Sequence, residues 1–362
     1  MGTTDHGSSR PTSPGYLSTC PSGAGGRVLL SRGLVTLLLT ALVASTALAQ
    51  GAGRNRKLYP LPQPSVPGSL GVNIHFTDPQ PGEASRIAGG GFRWIRMDFT
   101  WSAIERQKGR YDFSAYDRLL TALKPEGIRP IFILCYGNDI YEEGSPRSPE
   151  ARAAFARFVT AGVNHFRNQG ILWEMWNEPN IGFWKPVPKV SEYIALALEA
   201  GRALRQAAPQ EWYIGPATSG VDVRFVEECL KAGLLKYWDA VSVHPYRNTP
   251  PETAATDLLA LRQLIDRYSA PGSKVPIISG EWGYSERYPG LDLEKQSQYL
   301  PREMLTNLSL GVILSIWYDW RDDGPDPKEP EHHFGTLYLN NDPKPTYRAA
   351  QTLARCLNGL RF

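Results

Sequence analysis

Glu178, in Trp176-Asn177-Glu178-Pro179-Asn180, and Glu281, in Ser279-Gly280-Glu281-Trp282-Gly283, each follow a short apolar, β-type run. Ile171-Leu172-Trp173-Glu174-Met175 precedes the first and Val275-Pro276-Ile277-Ile278 the second. Two glutamates brought together by two strand ends can cleave a glycosidic bond. One gives a proton to the leaving oxygen while the other, ionised, engages the anomeric carbon. The chemistry requires a scaffold that carries distant segments to one place and gives the two carboxyl groups unlike surroundings.

The pattern around them supplies such a scaffold. Eight strands are predicted, at Leu70–Phe76, Phe92–Phe99, Arg129–Cys135, Ile171–Asn177, Trp212–Pro216, Ala240–His244, Val275–Gly280 and Val312–Trp317. Several are apolar almost throughout, as strands buried on both faces are. Amphipathic stretches with helical spacing lie between them, clearest at Ala151–Phe166, Val190–Ala207, Pro251–Tyr268 and Leu293–Leu308, and Tyr347–Leu357 supplies a closing helix. Eight alternating units make an α/β fold of the (β/α)8 TIM-barrel type, as a single domain, the economical architecture. The glycine cluster Gly89-Gly90-Gly91 precedes a strand and does not follow one, so it reads as a helix-to-strand turn and not as a phosphate loop.

The barrel is expected over 69–362. Ahead of it, residues 50–68 are rich in Gly, Arg and Pro and read as a flexible tether. Residues 1–49 read as a signal peptide with a long leader: Arg27 and Arg32 precede an apolar run from Leu34 to Ala49 that ends in the small-x-small site Ala47-Leu48-Ala49. That run falls short of the roughly 20 residues that span a bilayer. A secreted or periplasmic protein without stable membrane insertion is therefore expected. The net charge of +3 in 362 residues shows no basic stripe for nucleic acid. Cys135, Cys229 and Cys356 are scattered without metal-ligand spacing and read as buried small apolar residues. Neither a metal nor another cofactor is expected.

In a barrel, chemistry gathers at the carboxyl ends of the strands. The polar and aromatic residues there are His75, Arg96 with Asp98, Tyr136 with Asn138, Asn177 with Glu178, His244 with Tyr246, Glu281, and Trp317 with Trp320. Arg96 and Tyr246 are expected to supply a charge and a hydroxyl donor to Glu281, the nucleophile. Glu178 is expected to act as general acid and then general base. Glu174, two residues back on the same strand face, points too deep into the barrel to meet a saccharide. Asn177 can bond the sugar 2-hydroxyl only if its strand ends irregularly, because strict alternation turns it away from the side of Glu178. His75, Asn138 and His244 are candidate hydroxyl partners. Trp101, Tyr136, Trp184, Trp282, Tyr284, Trp317 and Trp320 are candidate stacking platforms, with Trp317 or Trp320 as the floor of the sugar site. His332 and His333 are placed at the cleft rim.

These residues resemble the clan of retaining glycoside hydrolases whose acid/base and nucleophile sit on strands four and seven of a (β/α)8 barrel, and within it families 5 and 39, including cellulase-like sequences. The resemblance covers roughly residues 69 to 355. It rests on Asn177-Glu178-Pro179, Glu281, Arg96, His244-Pro245-Tyr246 and Trp317, with a family 39 character in Trp101-Ser102-Ala103-Ile104-Glu105 and Tyr111-Asp112-Phe113. Trp317-Tyr318-Asp319-Trp320 departs from the commoner strand-eight ending. The resemblance implies a retaining glycosidase that acts on β-linked oligo- or polysaccharide by double displacement. A transglycosylase using the same residues and a catalytically silent carbohydrate-binding protein are the alternatives.

Overall fold

Each apolar run forms one strand, and the eight strands close on one another in sequence order, every neighbouring pair parallel, in a computed structural model that describes residues 58–362. The expected leader, and the expected tether up to residue 57, lie outside the described residues. The strands are β1 Leu70–Asn73, β2 Trp94–Thr100, β3 Arg129–Cys135, β4 Leu172–Met175, β5 Trp212–Ser219, β6 Ala240–His244, β7 Ile277–Trp282 and β8 Val312–Trp317. Among the described residues the α-helices are α1 Glu83–Gly89, α2 Trp101–Ile104, α3 Ser114–Leu123, α4 Pro149–His165, α5 Val190–Ala207, α6 Val223–Lys231, α7 Ala255–Tyr268, α8 Leu293–Ser309 and α9 Pro345–Cys356. The predicted helix from Pro251 is divided: a 3-10 turn, Pro251–Ala254, leads into α7.

Helix starts are fixed by side chains that accept otherwise unpaired backbone N–H groups. Ser148 receives Ala151 N at 3.1 Å ahead of α4, and Asp292 receives Lys295 N at 2.7 Å ahead of α8. Apolar faces of the helices then cover the outer side of the strands, forming one large core with Phe99, Trp173, Met175, Trp282 and Trp317. A second, smaller core fills the barrel: Trp94, Ile131, Leu172, Ile214, Ala240, Ile278, Leu314 and Ile316. Because strand side chains alternate, the inward residues one step toward the carboxyl ends are Arg96 on β2, Glu174 on β4, Ser242 on β6 and Gly280 on β7. The interior thus passes from an apolar base to a polar layer directly beneath the strand ends.

The expected tether is corrected over 58–68. This stretch packs against the strands' amino ends: Trp212 Nε1 donates to Tyr59 O at 2.6 Å and Arg129 Nη1 to Pro60 O at 2.9 Å. Val66 is buried, and its N–H donates to Leu360 O at 3.0 Å. Leu61 lies against the inner core, so an apolar residue within the Gly- and Pro-rich stretch anchors it. The cysteines split: Cys135 and Cys229 are buried and unbridged, whereas Cys356 is exposed, against expectation. No described helix is long and apolar enough to cross a membrane.

Gly71 allows β1 to close the barrel. A Cβ there would lie 2.3 Å from Ile316 Cδ1 and 2.8 Å from Trp94 Cβ. Gly71→Ala is expected to cost about 1–3 kcal/mol of stability through overpacking, seen as a lower denaturant midpoint with unchanged slope. A midpoint equal to that of the parent would show that the closure has slack.

Candidate active site

Arg96 rises from the interior of β2 and spends all five of its N–H groups on protein. Nε donates to Glu174 Oε2 at 2.6 Å, Nη1 to Glu281 Oε2 and to Asn73 Oδ1 at 3.4 Å, and Nη2 to Asn177 Oδ1 at 2.8 Å and His244 Nε2 at 3.2 Å. A guanidinium has no acceptor, so His244 Nε2 must accept. The ring proton then sits on Nδ1, which donates to Glu178 Oε1 at 2.9 Å. Arg96 therefore reaches Glu281 directly and Glu178 through one imidazole. Glu174 takes a second donor, Ser242 Oγ at 2.5 Å, and is fully buried. It does not line the cavity, and it pairs with Arg96 from below.

Both strand exits break the alternation that would misdirect these side chains. On β7 the pairing with β8 shifts between Ser279 and Trp282, so three steps on β7 match two from Ser315 to Trp317. Ile278 and Gly280 face inward, and regular alternation would turn Glu281 outward. The bulge keeps it inside and sends Trp282 into the helix-facing core. Gly280 has to be small there, because a Cβ would lie 2.4 Å from Ser242 Oγ and 2.9 Å from Glu174 Oε1. After β4, Trp176 (φ 67°) and Glu178 (φ 44°) are left-handed. The first turns the Trp176 ring outward and Asn177 inward, which is the irregular ending that Asn177 required. Glu178 N donates to the carbonyl of Ala217 (φ 57°), beside a register shift on β5.

The result is a cavity of about 520 Å³ at the carboxyl ends of the strands, lined by Glu178, Glu281, Asn177, Arg96, His75 and Tyr246. One oxygen each of Glu178 and Glu281, together with a nitrogen of His244, lie within 4.8 Å of one another. Tyr246 donates to Glu281 Oε1 at 2.9 Å. Glu281 thus receives a hydroxyl and a guanidinium, while Glu178, largely buried, receives only the imidazole among the described residues.

Other candidates are placed elsewhere. Trp282, Trp317 and Trp320 are buried and do not line the cavity. Ile316 faces the barrel interior, so Trp317 faces the helices and Tyr318 takes the cavity position. Trp320 lies under α1 and α9, its Nε1 donating to Glu83 Oε1 at 3.0 Å and its ring edge-on to Tyr347. Trp101, Trp184 and Tyr284 are likewise core. Asn138 is buried and ties two loops, donating to Glu105 O at 2.8 Å. His332 and His333 brace their own loop through Asp326, while their neighbours Glu331 and Phe334 reach the cavity. Arg96 lines the cavity, but its five N–H groups are all taken by protein partners. The aromatic wall consists of Tyr136, Phe183, Tyr246, Tyr288, Tyr318 and Phe334. Asn73 and Asp98 also line the cavity, and burial raises the Asp98 carboxyl above its ordinary value against the pull of Arg96. Asp98 follows Arg96 by two on one strand and, as read from the sequence, shares its exit at the cavity.

No family model matches the chain. It is similar to a β-xylosidase of Geobacillus stearothermophilus, 27% identical over 308 residues that cover 72% of this chain and 61% of that protein. It is also similar to a β-xylosidase of Caldicellulosiruptor saccharolyticus, 28% identical over 307 residues, covering 74% and 62%. Among solved structures it is similar to a family 39 glycoside hydrolase from the gut symbiont Bacteroides cellulosilyticus WH2, with TM-score 0.71 and 26% identity over 80% of this chain and 64% of that one. A family 39 β-xylosidase from Caulobacter crescentus shares the fold, with TM-score 0.66 at 23% identity. The resemblance read from the sequence holds, on its family 39 side. The chain spans less than two thirds of the length of the curated relatives it matches.

Glu174→Ala would leave the buried guanidinium of Arg96 with one carboxylate in place of two. Removing one partner of a buried pair costs about 3–5 kcal/mol, and a loss of that order is expected in chemical denaturation. A loss below about 1 kcal/mol would show that Glu281 and Asn177 suffice to hold Arg96.

Proposed function

We propose that the chain is a retaining glycoside hydrolase that cleaves β-glycosidic bonds by double displacement, with Glu281 as nucleophile and Glu178 as acid and base. The observation that carries this reading is the approach of the two carboxylates within 4.8 Å, combined with their unlike donors. Retaining enzymes hold their carboxyl groups about 5–5.5 Å apart, whereas inverting enzymes leave room for water at roughly 6.5–9.5 Å.

In this reading Arg96 and Tyr246 stabilise the Glu281 carboxylate, one donor to each oxygen. Glu281 forms a bond to the anomeric carbon as the bond to the leaving oxygen breaks. Glu178 supplies the proton to that oxygen from Oε2, because Oε1 is held by His244 Nδ1–H. Once Glu281 is an ester its charge is gone, and Arg96 stays neutralised by Glu174. Glu178 then takes a proton from water, which attacks the anomeric carbon and releases Glu281. With Oδ1 of Asn177 occupied by Arg96, its amide N–H groups are left for the hydroxyl beside the anomeric centre, where bonding strengthens in the transition state.

The relatives named β-xylosidases make aryl β-xylosides the first substrates to test, followed by a panel of polysaccharides with product-length analysis. Glu178→Gln is expected to lower turnover by roughly 10²–10⁴-fold, and Glu281→Gln to abolish covalent intermediate formation. Azide should rescue the two variants with products of opposite anomeric configuration. Turnover of Glu281→Gln at the parental rate would end the assignment. We also propose export, supported by Arg27, Arg32 and the apolar run to Ala49. N-terminal sequencing of protein recovered outside the cytoplasm should begin near Gln50, and a chain that retains Leu34 would refute cleavage.

A further inference from the structure

Beside the ends of β1 and β8 stand three acceptors that no donor joins to one another. His75 follows β1, is about half exposed and lines the cavity. Its Nε2 lies 3.3 Å from Asp319 Oδ2 and 3.8 Å from Asp323 Oδ2, both beyond β8. Asp319 is 1% exposed, and neither of its oxygens has a hydrogen-bond partner among the described residues. No Lys or Arg among them pairs with either acid, and Asp323 Oδ2 receives only the Tyr318 hydroxyl, at 3.4 Å. The imidazole turns a lone pair to the acids and not a proton. Asn73 Oδ1 accepts from Arg96, which leaves Asn73 Nδ2 at His75 Nε2, 3.4 Å away, and an amide nitrogen can only donate. The ring proton of His75 is therefore on Nδ1. Glu178, His244 and Glu281 also converge, but Arg96, Tyr246 and the Nδ1–H of His244 supply donors there.

We propose that His75 Nε2, Asp319 and Asp323 form a binding site for one divalent cation of the zinc class, at the seam where β1 and β8 close the barrel. Zinc takes neutral imidazole and carboxylate donors at about 2.0–2.2 Å in a tetrahedral array, which sets the donors roughly 3.3–3.6 Å apart. The two separations from His75, 3.3 and 3.8 Å, lie at and just above that range, and all three ligand atoms fall within 4.8 Å of one another. A neutral imidazole with its proton on Nδ1 is the form that ligates through Nε2. The cation would displace the long contact to Asn73 and cancel the charge of two acids, one of them buried at a cost that nothing else offsets. Imidazole beside carboxylate suits zinc better than magnesium or calcium, which favour oxygen alone. The ligands are held on joined backbone: Trp320 N donates to Asn73 O at 3.0 Å and Thr336 N to Asp319 O at 2.9 Å. A cation bound there ties the segment after β8 to the exit of β1 and fixes Tyr318, next to Asp319, in the cavity wall. Three protein ligands leave a fourth position for water.

The test is metal uptake by the full, untagged chain after chelator treatment, with Zn²⁺ alone as the probe, read by equilibrium dialysis and metal analysis. One Zn²⁺ per chain is expected, with a dissociation constant of about micromolar or tighter. Excess Zn²⁺ should raise the thermal midpoint by several degrees. His75→Gln and Asp319→Asn should each weaken binding by at least the roughly 10–100-fold that loss of even an outer partner costs a metal site. Cys356→Ser and His332→Gln should leave it unchanged, which separates this site from other surface ligands. His75 is half exposed, so His75→Gln keeps the test open even where Asp319→Asn disturbs folding. Absence of uptake by the parent would overturn the proposal and leave a proton as what the three acceptors share. Uptake that survives both ligand substitutions, or binding of Ca²⁺ or Mg²⁺ in preference to Zn²⁺, would overturn it as well. Uptake is measured without turnover, so the result stands apart from the glycosidase reading.

Discussion

The site depends on a single buried guanidinium. Arg96 lies at the boundary between the apolar base of the barrel and the open cavity, and its planar fork fixes five partners at once. Lysine could not substitute, because an ammonium offers three donors from one point while these partners lie around a plane. Two acids share the charge, and only Glu281 reaches the cavity. In the reaction proposed above, Glu174 would keep Arg96 neutralised while Glu281 is uncharged. An ion pair of this kind contributes little net stability once desolvation is counted. Its value lies in geometry, since the same group orients a carboxylate, an amide and an imidazole.

That geometry is reached only because the two strands that deliver the acids end irregularly. A regular β7 with Gly280 facing inward would point Glu281 at α8 and bury Trp282 in the cavity. A regular β4 would bring the Trp176 ring inside and turn Asn177 out. The bulge and the left-handed residues exchange these pairs, placing the large indoles in the helix-facing core and the polar groups over Arg96. Packing and chemistry thus reinforce one another: the indoles gain burial by the same local twist that exposes the acids.

The barrel was legible because its eight apolar runs and intervening amphipathic segments have unmistakable periods, and errors were confined to element ends, as at β1 and Pro251. Glu178 and Glu281 stood out because a glutamate directly after an apolar run marks a strand exit. Legibility failed for the tryptophans. Position near a strand end says nothing about which face a residue occupies, and parity counted from Ile316 would have assigned Trp317 to the core and Tyr318 to the cavity. Asn138 failed for another reason, since a loop amide finds its partner, here Glu105 O, only after the neighbouring loop is built. The tether was misjudged from composition: Gly and Pro suggested freedom, while Leu61 and Val66 supplied the burial that ties the segment down.

Strand eight carries the largest departure from the pattern first recognised, and its consequence is electrostatic. With Trp317 withdrawn into the core, the chain turns Tyr318 into the cavity and drops Asp319 into a fully buried position two residues on. A buried acid there would be expected to lose its charge, yet His75 lies across the gap from β1, the strand that closes the barrel against β8. The barrel seam therefore holds a close His75–Asp319 pair whose imidazole borders the cavity. On the neighbouring strand, Asn73 joins this imidazole to Arg96, with its Nδ2 at His75 Nε2 and its Oδ1 accepting from Nη1. Each of these nitrogen groups lies beside an acid buried away from the cavity, Glu174 at Arg96 and Asp319 at His75.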